Sequence, residues 1–203
     1  MGRAVRRYAR AAGGGRVAPR AAIEGVRAGA RLGRFFGQVA TGGLGEAARA
    51  LGITDLVGRT PEAILCGLVD QIAPAGETLE ASAARAAIAT TLDSFLERLD
   101  PDDPEATRLD APQVEELMRE YVINYAYERF SSEMCGRLER DQVDLDRALE
   151  LSEQARDFIA AKLQEKLMDR AVDMNLLATD PSTQERVSYE LMQETFAILE
   201  DGE

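Results

Sequence analysis

From about residue 19 onward, apolar side chains return every three or four positions, the period of an α-helix that buries one face. Pro19 suits a helix start, and Ile23, Val26, Ala30, Phe35 and Val39 then recur on one side to about Ala40. Gly25, Gly29, Gly33 and Gly37 fall at strict i, i+4 intervals along this run. Arg27, Arg31 and Arg34 make it too costly as a lipid span, so the ridge reads as close packing in water. Each helix-interior glycine costs about 1 kcal/mol relative to alanine, so either another backbone approaches the ridge or the helix is weak.

Thr41-Gly42-Gly43 predicts a break, with a short helix over about 44–51 and Gly52 as its C-cap. Thr60 is placed to cap a helix with Pro61 at its first position, and Ile64, Leu65, Leu68, Val69 and Ile72 form its stripe as far as Pro74-Ala75-Gly76. Thr78 opens another helix, to about Leu99, with Leu79, Ile88, Leu92, Phe95, Leu96 and Leu99 on one side. Asp110 and Pro112 start the next, which carries Val114, Leu117, Met118, Tyr121, Val122 and Tyr125 and reaches about Leu138. Residues 145–178 form the longest periodic stretch, with Leu145, Leu149, Ala155, Phe158, Ile159, Leu163, Leu167, Met174 and Leu177 available for a core face; Asp180-Pro181-Ser182 ends it, and Val187, Leu191, Phe196, Ile198 and Leu199 support a final helix. No strand pair competes. The expectation is an all-α fold of six or seven helices, bundle-like, with an N-terminal helical unit over 19–100, a loop at 101–112 and a C-terminal helical unit over 113–203, packed as one body.

Residues 1–18 break this pattern. They are rich in arginine, contain the run Gly13-Gly14-Gly15, and show no apolar face wide enough to bury, which predicts a flexible basic arm. Charge sharpens the contrast. Residues 1–60 carry 11 arginines against Glu24, Glu46 and Asp55, a net of +8, whereas residues 61–203 carry 13 basic and 33 acidic residues, a net of −20. An arm of this kind either meets an anionic partner or folds back on the chain's own acidic half. Arg3, Arg6, Arg7, Arg10, Arg16 and Arg20, with Tyr8 among them, have the composition to grip phosphates and stack one base.

Chemistry is sparse elsewhere. The 203 residues include no His, which removes the usual general base, the Ser-His and Cys-His nucleophile pairs and the commonest nitrogen ligand for metals. Cys66, in the apolar stripe of its helix, and Cys135, near a helix end, read as inert thiols and cannot make a four-thiolate zinc site. No phosphate-cradling Gly-rich loop with its lysine is present, and the acidic residues Asp141, Asp144, Asp146 and Glu150 lack the turn glycine of a calcium loop. Tyr121, Tyr125 and Tyr127, at helical spacing, read as core. The expectation is therefore a non-enzyme without metal or cofactor. No long uncharged apolar run and no signal peptide is legible, which predicts a soluble, cytoplasmic protein without membrane contact.

One resemblance adds to this. The runs YARAAGGGRVAPRA (8–21) and RLGRFFGQVATGGLGEAARALG (31–52), with LGITDLVG (51–58) and APAGETLEA (73–81), resemble QatB, the small component of the bacterial Qat anti-phage system, and the similarity continues more loosely to about residue 140. The resemblance implies a non-catalytic protein that works beside a QueC-like enzyme of the same operon, an ATPase and a TatD-like nuclease. It also implies a longer polar leader ahead of the arm than this sequence carries. Because related QueC-like enzymes are associated with attaching a deazaguanine-type base to a partner's N-terminal glycine, the resemblance makes Gly2 a modification candidate. Gly2, Arg3, Arg6, Arg7, Tyr8, Arg10, Gly13, Gly14, Gly15 and Arg16 are the candidate partner-binding residues, with nucleic acid as the competing ligand.

Overall fold

The computed structural model describes residues 2–11, 22–54, 59–100, 103–140, 145–167 and 181–201. Among them there are eight α-helices and no strand: α1 Gly2–Ala11, α2 Ile23–Gly42, α3 Leu44–Ala50, α4 Pro61–Ile72, α5 Leu79–Leu96, α6 Ala111–Arg140, α7 Leu145–Leu167 and α8 Pro181–Asp201. The all-helical reading holds, and the count exceeds the expected six or seven because residues 2–11 form a helix.

Helix boundaries follow local chemistry. Thr60 accepts a hydrogen bond from Ala63 N at 3.3 Å with Pro61 opening α4, and Thr78 accepts from Ala81 N at 3.0 Å to start α5. At α6, Asp110 Oδ1 accepts from Gln113 N at 2.8 Å while Gln113 Oε1 accepts from Asp110 N at 2.8 Å, a reciprocal capping box that satisfies two otherwise orphaned donors. α2 stops at Gly43, whose φ of +86° only glycine adopts without strain. The segment between α5 and α6 includes a short 3₁₀ turn, Pro104–Ala106, tied back to the start of α3 by Leu44 N donating to Thr107 O at 2.9 Å.

Packing is dominated by α5 against α6, with α2 lying against α5, α6 and α8. Phe35, Phe36 and Phe95 cluster with ring centroids 5.5 to 6.0 Å apart at the α2–α5 contact. The glycine ridge of α2 is where α6 comes close, and what enters is a pair of aromatic rings, not a second backbone. A Cβ on Gly25 would overlap Cζ of Tyr125, and one on Gly29 would stand 2.7 Å from Cε1 of Tyr121. Tyr121 then donates its hydroxyl hydrogen to Gly25 O at 2.6 Å, so the missing side chains admit both a ring and its hydrogen bond. One apolar cluster runs from Val5 in α1 to Leu199 in α8.

Candidate partner interface on the N-terminal helix

The expectation of a mobile arm is overturned over residues 2–11. Val5, Tyr8 and Ala9, at i, i+3 and i+4, make a narrow apolar face that is buried against α8 and α7. Tyr8 is 5% exposed, its ring set edge-on to Phe130 at 5.4 Å and tilted against Phe196 at 6.4 Å. The short face suffices because it lands on aromatic rings, which bury large area for each residue. Gly2 lies on Phe158, where a Cβ would stand 2.9 Å from Cε2 of that ring.

The arginines divide by helical phase. Arg3, Arg7 and Arg10 are exposed on the outward face, at i, i+4 and i+7, whereas Arg6 is half-buried with Nε out of solvent and unbonded among the described residues. The arm thus folds back on the acidic part of the chain through its apolar residues and keeps Arg3, Arg7 and Arg10 outward. Tyr8, buried, is turned away from any partner, which removes the stacking aromatic on which the nucleic-acid reading relied. Gly13, Gly14, Gly15, Arg16 and Arg20 lie outside the described residues, as do Met174 and Leu177 of the long periodic stretch.

At the start of α2, polar groups are held in place. Glu80 Oε1 accepts from Glu24 N at 2.9 Å and Gly25 N at 3.4 Å, capping α2 from α5, and Tyr125 Oη donates to the same oxygen at 3.4 Å. Burial pushes the phenols of Tyr121 and Tyr125 well above their ordinary range, so both act as hydrogen-bond donors throughout the neutral range. Burial alone would lower Arg129, but Tyr125, Tyr8 and Glu80 around it raise it instead, and its guanidinium lies 5.9 Å from the Phe196 centroid. Cys66, placed by its sequence in an apolar stripe, is exposed. Among the described residues, no cluster of three potential metal ligands occurs, and no helix is long and apolar enough to cross a membrane.

Residues 13–199 match the family model described as Qat anti-phage system associated protein QatB. The chain belongs to the QatB family. It is therefore a component of an anti-phage defence system. The match reaches well past residue 140 and takes in α2 to α7 and α8 up to Leu199, while α1 precedes it. No curated protein and no solved structure matches the chain. Sequence reasoning missed Val5 and Ala9 as docking residues; their spacing around Tyr8 was the signal, and Phe130 and Phe196, which receive Tyr8, and Phe158, under Gly2, are remote in sequence.

Proposed function

We propose that this chain is a non-catalytic adaptor of the Qat system whose N-terminal region binds a QueC-like partner enzyme. The observation that carries this reading is the two-sidedness of α1: three buried residues anchor it, and Arg3, Arg7 and Arg10 face outward from a chain of net charge −12. A rigid cationic row on an acidic body selects an acidic protein surface and speeds the encounter with it. The helical body supplies the platform, and the ATPase and TatD-like components are the further candidates for its other faces. Gly2 is the residue on which such an enzyme would act, through the α-amino group freed when hydrolysis of the Met1–Gly2 peptide bond removes Met1. Because Gly2 lies on Phe158, a pocket that takes that group has to lift the first turn of α1 away from the ring.

The test is co-expression with the QueC-like protein of the same operon, purification by a tag on that enzyme, and an intact mass of the retained chain. Retention in stoichiometric amount, weakened about tenfold or more when Arg3, Arg7 and Arg10 are all changed to alanine, is the expected result. A mass increase lost in Gly2→Ala makes the chain a substrate as well. Failure of the unaltered chain to co-purify refutes the adaptor reading.

A further inference from the structure

Two charged rows of opposite sign occupy adjoining surface helices. On α7, Asp146, Glu150, Glu153 and Asp157 are exposed at i, i+4, i+7 and i+11, a spacing that keeps side chains on one helix face. Leu149, which the periodicity assigns to a core face, is instead 56% exposed and sits one turn from both Asp146 and Glu153, an apolar side chain inside an acidic rim. Arg156 is drawn over the Tyr127 ring of α6, 5.6 Å from its centroid. On α1, Arg3, Arg7 and Arg10 are exposed at i, i+4 and i+7, and α1 packs beside α7 with Gly2 on Phe158.

We infer that the chain self-associates, α1 of one copy lying along α7 of a second so that the arginine row meets the acidic row and Leu149 is covered between them. The spacings match. The arginines step by four residues and then three; Asp146, Glu150 and Glu153 step the same way in one direction, as do Asp157, Glu153 and Glu150 in the other. At a rise of about 1.5 Å per residue each set of three spans about 10 Å. Adjoining rows of opposite sign are also self-complementary under a two-fold axis, since each copy offers its basic row to the other's acidic row and both contacts form at once. The net charge of −12 opposes this approach. Charges farther apart than about 8 Å are screened at physiological ionic strength, so the facing rows outweigh the distant repulsion. Phosphate polymers are the poorer occupant, because Tyr8 is buried and the neighbouring acidic row repels them.

The contact uses the arginine face of the adaptor reading but does not depend on it, because it is measured on the pure chain without any partner. Sedimentation velocity at about 50 mM and about 500 mM NaCl should show a concentration-dependent dimer at low salt that dissolves at high salt. Two reversal variants follow, one with Arg3, Arg7 and Arg10 all changed to Glu, the other with Glu150, Glu153 and Asp157 all changed to Arg. Each alone should weaken dimerisation about tenfold or more, and mixing the two should restore a heterodimer. That restoration separates a lost contact from a lost fold. A monomer at both salt concentrations, a dimer indifferent to both reversals, or reversal variants that stay apart when mixed each overturn the inference. Salt-sensitive retention of the monomer on a DNA duplex, without self-association, overturns it in favour of phosphate.

Discussion

Gly25 and Gly67 both lie within helices, yet they call for opposite substitutions. A methyl on Gly25 would drive into the Tyr125 ring, whereas one on Gly67 would meet only Cδ1 of Ile53 at an ordinary 3.6 Å. Gly25→Ala is expected to cost a net of about 1–2 kcal/mol, overpacking outweighing the gain in helix propensity. Gly67→Ala should stabilise by up to about 1 kcal/mol, and urea denaturation measures both. Glu120 offers a pH test at the same scale. Burial raises its pKa above 4.5, against the opposing hydrogen bond from Ser94 and the charge of Arg98. A carboxyl raised on folding contributes stability that is fully present below pH 4.5 and lost as pH rises through its folded value. Glu120→Gln keeps the acceptor for Ser94 Oγ and removes the charge. Its melting temperature should exceed that of the unaltered protein at pH 7, with the difference closing as pH falls toward 4; an unchanged gap across that range refutes the assignment.

At the scale of elements, α1 is the helix that depends most on its neighbours. Ten residues fall short of the about 12–15 that an isolated helix needs, and Arg3, Arg6, Arg7 and Arg10 repel one another at i, i+3 and i+4. Its helicity therefore comes from docking. Tyr8→Ala should release it, so that trypsin cleaves after Arg7 and Arg10 about tenfold faster while the main unfolding transition of the rest is retained. Unchanged cleavage would show that Tyr8 does not hold the helix. The other helices were legible because their signals are local: Thr60 with Pro61, Thr78, and the stripes of α4, α5 and α6 are each complete within a few turns. The capping box at Asp110 and Gln113 was equally present in the sequence as a residue pair three apart, though only Asp110 was read as a cap. α1 was not legible because its three apolar residues are too few to mark a buried face until the rings that receive them are known.

For the whole molecule, the consequence is cooperativity. α8 covers α2 and meets α1, and α6 inserts Tyr121 and Tyr125 into the ridge of α2, so helices from both ends of the chain share one apolar cluster. Far-UV circular dichroism and the near-UV signal of the tyrosines should follow one coincident thermal transition; two separated transitions would mean that residues 19–100 and 113–203 unfold independently. The sequence alone determined the helical class, most of the helix boundaries and the split between a basic first part and an acidic remainder, because periodicity, caps and charge are properties of neighbouring residues. It also carried the QatB resemblance. Tertiary structure decided what fills the glycine ridge, which face of α1 is buried, and that Tyr8 points inward while Arg3, Arg7 and Arg10 point out. Those outcomes depend on Tyr121, Tyr125, Phe130, Phe158 and Phe196, residues far along the chain, and burial by a distant partner leaves no mark on the local pattern of the residue it buries.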